Sequence, residues 1–222
     1  MSIRRFQSAF LAGILIAIAL VLFGWILVPA ERVVPVLAAI AILIIYGAVV
    51  WLATPGIEKL NPAILSIAIE CGLIAGLIFV SEIILEYVLL PKDNTTFGLI
   101  EFGSVFFIYF LSGLITALQT KNIRNGVLSA IWTAMIATLM WAIAVLAMDY
   151  LFRGTPQQTK VFQAEGNYAD FAQSGMTDFN AFIMEDFMGA VFYHSLLGPM
   201  LAALFGLIGG LIGRGISKVR SK

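Results

Sequence analysis

The sequence predicts an all-α membrane protein, a polytopic bundle of six transmembrane helices with a short external amphipathic helix. Three observations predict it. The 222 residues are 61% hydrophobic and 12% charged, with a mean hydropathy of +1.00, whereas soluble domains are roughly 45–50% apolar and about 25% charged. The apolar residues gather in six runs, each long enough to cross a hydrocarbon core of about 30 Å at about 1.5 Å per residue. Once those runs are threaded through a bilayer, most basic residues fall on one side. Continuous runs also exclude a barrel, whose strands would be about ten residues long with a period of two.

The first run, about 8–28, follows Arg4 and Arg5. That flank, with Val28-Pro29-Ala30, loosely fits a signal peptide. The apolar stretch exceeds the usual length of about 7–15 residues, so a retained helix is expected. The second run, about 33–53, is followed by Pro55-Gly56, and the third, about 63–90, lies between Pro62 and Pro91. The fourth covers about 97–118, and the fifth, about 125–151, starts at Asn125-Gly126. Proline and glycine at these places read as breaks between helices. The first four connections are short, so consecutive helices are expected to be antiparallel neighbours. The last run covers about 188–213. It shows no resemblance to the first half that would support an inverted repeat.

The only sizeable polar segment, about 153–187, precedes that last run. It opens with Gly154-Thr155-Pro156-Gln157-Gln158. It then places Phe179, Phe182, Ile183 and Phe187 at three- and four-residue spacing behind Thr177-Asp178. This is the pattern of a capped amphipathic helix, expected to rest on the outer leaflet. The whole chain, 1–222, is expected to form a single membrane domain.

Charge sets the orientation. One side holds Arg4, Arg5, Lys59, Lys121, Arg124, Arg214, Lys218, Arg220 and Lys222, and the other only Arg32, Lys92, Arg153 and Lys160. The positive-inside rule then places both termini in the cytoplasm. The expected location is the cell membrane, in a bacterium the inner one, with the lipid bilayer as the first partner.

Several functions are excluded. A formal net charge of zero offers no basic surface to nucleic acid. A lone cysteine, Cys71, excludes an internal disulfide and a cysteine metal framework, and it reads as a small buried hydrophobe. One histidine excludes multi-histidine metal sites and bis-histidine haem, and no phosphate loop is present. No cofactor is indicated. Asn94-Thr95-Thr96 matches the glycosylation pattern but sits in a tight turn beside the bilayer, where modification is not expected. Trp25, Trp51, Trp132, Trp141 and Tyr150 are expected as lipid-facing or interfacial anchors.

Small residues mark one face of the last span. Gly198, Ala202, Gly206 and Gly210 recur every four residues, Gly209 and Gly213 make a second pair, and Gly72 and Gly76 repeat the spacing in the third span. Such stripes let helix backbones approach closely. They serve either internal packing or an interface in a homo-oligomer or with other membrane subunits. Pro199 should kink the same helix, because it removes a backbone donor.

Ionisable residues inside the runs need a reason, since a charge at the bilayer centre costs about 2.5–3.5 kcal/mol on insertion scales. They are Glu70, Glu82, Glu86, Glu101 and His194. Glu82 and Glu86 project from one helix face. A hairpin turning between Asp93 and Asn94 puts Glu86 and Glu101 at matching depth, about 6 Å below the outer boundary. His194, about 12 Å along the helix from Asp186, falls near the depth of Glu82. Asp149 and Glu185-Asp186 are expected at the rim, and Glu70 alone near the inner third. Two readings follow. The acids are protonated and hold helices together through Ser104, Tyr109 or Tyr87; or, with His194, they face a cavity that binds a proton or a divalent cation such as zinc, iron or manganese.

Three functions fit these features. The favoured one is a non-enzymatic accessory or scaffold subunit that binds partner helices through the glycine face of the last span. The alternative is a small secondary transporter or channel for a proton or divalent cation, using the intramembrane carboxylates. The third is a membrane-embedded enzyme acting on lipid with Glu, Asp and His as acid–base groups.

Overall fold

The structure, a computed structural model, describes residues 3–89 and 94–220, with backbone alone at Glu58, Asn94, Thr95 and Arg220. The expected turn at Asp93–Asn94, the side chains of the glycosylation pattern at Asn94-Thr95, and the charges of Lys92, Arg220 and Lys222 therefore lie outside the described residues. Those residues form α1 (Ile3–Leu27), α2 (Val34–Leu60), α3 (Pro62–Leu89), α4 (Asn94–Thr120), α5 (Ile123–Phe152), α6 (Pro156–Ala164), α7 (Asn167–Ser174) and α8 (Phe179–Arg220). No strand occurs among them. All but the short α6 and α7, six helices among the described residues, are long and apolar enough to cross a membrane. Their outer faces expose Leu15, Ile26, Leu52 and Leu99, a surface suited to lipid and costly in water.

α5 forms the axis. It packs against α1, α3, α4 and α8, and 67% of its most apolar window is buried, against 28% for α1. Fully buried Ala130, Ala134, Ala137 and Ala142 give it a narrow waist, so neighbouring helices can surround it. The expectation that consecutive helices are close neighbours holds for α1–α2, α3–α4 and α4–α5. It fails for α2 and α3, which touch little, while α4 and α8, far apart in sequence, pack along each other.

Two of the expected breaks lie inside helices. Pro55-Gly56 falls within α2 and Asn125-Gly126 within α5. The real turn before α5 is Lys121, in the left-handed region at φ 55°, followed by Asn122. The Asn122 side chain accepts the Arg124 N–H at 2.9 Å and caps the helix. Proline inside a helix leaves the carbonyl four residues earlier without its usual donor, and here a neighbouring helix supplies one each time. Gln7 of α1 donates to the Trp51 carbonyl at 3.4 Å, serving Pro55. Tyr46 of α2 donates to the Ser195 carbonyl at 2.6 Å, serving Pro199. α8 is 42 residues long in all and runs unbroken through Pro199.

The external segment departs most from expectation. Phe179, Phe182, Ile183 and Phe187 are not a separate interfacial helix but the opening turns of α8. The Asp178 cap is present, its carboxylate accepting the Asn180 N–H at 2.7 Å. The apolar stripe is covered by protein: Tyr168 stacks on Phe179 at 4.5 Å, Phe171 meets it edge-on at 5.4 Å, and Phe162 packs at 5.8 Å. α6 and α7 supply these rings because Gly166 (φ 81°) and Gly175 (φ 72°) stop each helix and reverse the chain.

The α1–α2 loop clamps this segment onto the bundle. Glu31 accepts from the Thr177 N–H at 3.0 Å, the Thr177 hydroxyl at 2.9 Å and the Asp178 N–H at 2.8 Å. Arg32 donates through its guanidinium to the Ser174 carbonyl at 2.8 Å and through its N–H to Glu185. The Asp178 amide first, then the Thr177 hydroxyl, hold the Glu31 carboxyl below its ordinary value.

Candidate functional site

Under this clamped cap lies a cavity of about 210 Å³. α3 contributes Glu82, Glu86 and Tyr87, α4 contributes Glu101, and α8 contributes Asp186 and His194. Four of the five ionisable residues singled out from the sequence thus face one space. Glu82 and Glu86 arrive together because a four-residue step returns to the same helix face. Glu101 is 6% exposed and lines the cavity.

Glu70 lies apart. It is exposed at the other end of α3, beside a second cavity of about 240 Å³ that Ser66, Pro62 and Phe6 also line. Of the expected rim acids, only Asp186 lines the chamber. Asp149 is buried and accepts the Gln158 amide at 2.6 Å. Glu185 is buried and receives the Arg32 N–H.

One acidic residue was missed altogether. Glu165, at the end of α6, lines the chamber from the cap side. The residue as a whole is exposed, yet its carboxyl end turns inward and hydrogen-bonds the Glu86 carboxyl. Burial first, then this contact and the neighbouring negative charges, push the Glu165 carboxyl well above the usual carboxylate range. A hydrogen bond between two carboxyl groups requires a proton on one of them. The sequence signal that could have found it is Glu165-Gly166: a glycine helix stop turns the chain back over the bundle and carries the preceding residue with it.

The aromatic surroundings also differ from expectation. Trp51 is exposed, as an anchor would be, but Trp132 and Trp141 are buried. Tyr150 is an internal tie, donating to the Leu20 carbonyl at 2.7 Å. Trp141 stacks on His194 with ring centres 4.0 Å apart and planes 19° from parallel. His194 Nδ1 lies 3.0 Å from the Ala190 carbonyl; a carbonyl only accepts, so Nδ1 carries the hydrogen and Nε2 is the nitrogen open to a further proton.

The hydroxyls expected to hold the acids do otherwise. Ser104 donates to the Ile100 carbonyl at 2.7 Å, and the Tyr87 hydroxyl is buried without a partner. Hydroxyls tie the helices lower in the bundle instead. Ser112 of α4 meets Ser129 and Thr133 of α5 at 2.9 and 2.8 Å, and Ser129 donates to the Ile64 carbonyl of α3 at 3.2 Å. The half-buried Cys71 thiol joins this group by a hydrogen bond with Ser112.

The small-residue stripe of α8 faces its own chain. A Cβ on Gly198 would meet Thr138 at 2.7 Å, one on Gly206 would overlap Ala130, and one on Gly210 would meet Ile123 at 3.2 Å, all on α5. Ala202 is fully buried in the same seam. Gly209 and Gly213 lie against the α4 carbonyls of Phe110 and Leu114. In α3, Gly72 and Gly76 abut Ile136 and Met140 of α5. The face read as a docking surface for other subunits is therefore filled by α4 and α5. Comparison with protein-family models, with curated proteins and with solved structures finds no match to this chain.

Proposed function

We propose that the protein is a non-enzymatic multi-pass membrane protein, a small transporter that takes up protons in the acidic chamber. The Lys/Arg-rich ends, read by the positive-inside rule, support an orientation with both termini cytoplasmic and the chamber toward the outer side. The observation that carries the reading is the hydrogen-bonded Glu86–Glu165 carboxyl pair in a cavity shared with Glu82, Glu101, Asp186 and His194. Such a pair holds a proton that can be exchanged, and intramembrane carboxylates with a histidine are the usual parts of a proton relay. No three of the described Asp, Glu, His or Cys side chains converge to hold a metal ion, which favours the proton over a divalent cation. Binding and release suffice for this role. Ser195, next to the only histidine, has a buried hydroxyl without a partner and is not paired with it as a nucleophile would be.

Infrared spectroscopy of the full chain tests the reading directly. A protonated carboxylic acid band is expected at neutral pH, titrating on the alkaline side and reduced in Glu86→Gln/Glu165→Gln. In proteoliposomes, proton uptake by the Glu82→Gln/Glu86→Gln variant should fall at least tenfold while its melting transition stays cooperative. Wild-type uptake in that variant, or the absence of the band, overturns the proposal.

A further inference from the structure

The acidic chamber borders a second cavity of different character. This space, of about 140 Å³, is almost wholly apolar, and Phe102 and His194 line both cavities. Phe79, Phe106 and Leu197 wall it between α3, α4 and α8. Phe102 stacks over His194 at 6.4 Å and meets Phe79 edge-on at 6.0 Å, so these rings stand where the acidic and apolar spaces meet. On the acidic side the Tyr87 hydroxyl is an independent sign of a missing partner. Tyr87 is 2% exposed, its hydroxyl has no hydrogen-bond partner, and it lies within electrostatic reach of Glu86 and Glu165. Buried polar groups in folded proteins are almost always satisfied, so an orphan lining a cavity points to a ligand that supplies a donor.

We propose that the two adjoining cavities together bind a protonated amine bearing an aromatic or short alkyl arm. The ammonium sits beside Glu82 and Glu86 and donates to the Tyr87 oxygen; the arm extends past His194 toward the space between Phe79 and Phe106. The carboxyls disfavour anions and favour a cation. An ammonium group has three donors and no acceptor, which suits a site of carboxylates and one phenolic oxygen. The inference rests on the reading of the chamber as a proton site and goes beyond it by naming a substrate class.

The test is calorimetric binding to the purified full chain of three probes: phenethylammonium, methylammonium and neutral 2-phenylethanol. Phenethylammonium should bind at least tenfold tighter than either control. Tyr87→Phe should weaken it severalfold, and Leu197→Trp, which fills the apolar space, should bring the ratio of the two amine affinities close to one. Equal affinity for the two amines, with the carboxylic acid band still present, overturns this inference and leaves the proton reading standing. Equal affinity for 2-phenylethanol overturns it too, since the apolar space would then take any greasy chain, including a lipid tail. Loss of the band defeats the proton reading first. The wild-type affinities decide the matter even where a variant fails to fold.

Discussion

α8 passes through two neighbourhoods, one on each side of Pro199. In the half toward the C-terminus, Gly206, Gly209, Gly210 and Gly213 bring its backbone against α4 and α5, and a Cβ at any of them would crowd a neighbour. In the other half, His194, Asp186 and Phe187 border an open chamber, and a Cβ on Gly189 would meet nothing within 4 Å. The same helix thus seals one end of the bundle and holds the other apart. Without a hydrophobic gradient between helices in lipid, close contact depends on small residues and hydrogen bonds. Space is kept where bulky rings and acids replace the glycines. The difference teaches that the glycine half is built for rigidity and the aromatic, acidic half for occupancy.

The sharpest way to break this comparison is to add bulk in both halves. Gly209→Leu drives a side chain into the Phe110 carbonyl region, and overpacking of this kind costs about 1–3 kcal/mol or more; thermal melting in detergent should fall strongly or the folded form be lost. Gly189→Ala should leave the melting point within a few degrees of wild type or raise it slightly, since alanine is the better helix former by about 1 kcal/mol. Equal losses at both sites would sink the distinction.

A middle-sized effect is expected at the boundary itself. Tyr46→Phe removes the donor from the Ser195 carbonyl that Pro199 orphans, and an unsatisfied buried acceptor costs about 1–3 kcal/mol. With Pro199→Ala the helix regains its own donor, so the same Tyr46→Phe change should then cost less than half as much. Additive losses in the double variant would show that the tyrosine acts in some other way.

The smallest effect is local and depends on pH. The cap is fastened by two carboxyls in opposite states. Glu165 has a raised pKa, so the stability it contributes is full below the ordinary glutamate value and is lost as pH rises through the raised value. Glu31 has a lowered pKa, so its contribution is full above the ordinary value and is lost as pH falls through the lowered one. Hydrogen exchange of residues 156–174, corrected for intrinsic rates, should be slowest between these limits. Glu165→Gln should remove the alkaline loosening alone, and Glu31→Gln the acid loosening alone. Loosening that persists at alkaline pH in Glu165→Gln would separate the cap from the acid pair.

Much of this molecule was legible because it depends on one coordinate. Apolar run length identified six membrane-crossing candidates, and the rise per residue set Glu82, Glu86, Glu101 and His194 at related heights. Helix ends were less legible. Pro55 and Gly126 resemble stops, but Gln7 serves the carbonyl that Pro55 frees, and Gly126 is a contact point for the Gly113 carbonyl of α4. Aromatic residues misled for a related reason: the sequence lets Trp141 face lipid or protein equally well, and its stacking on His194 depends on the rotation of two helices.

The sequence by itself determined the six long helices, their apolar character and the positions of the acids along the helix axes. Those follow from composition, spacing and helical rise. Only the tertiary structure decided which way each helix turns about its axis. That rotation placed the glycine stripe against α4 and α5, brought Glu86 to Glu165 at the end of α6, and opened apolar space beside His194. The physical reason is that height along a helix is set by local geometry, whereas azimuth is chosen by packing against helices far away in the chain.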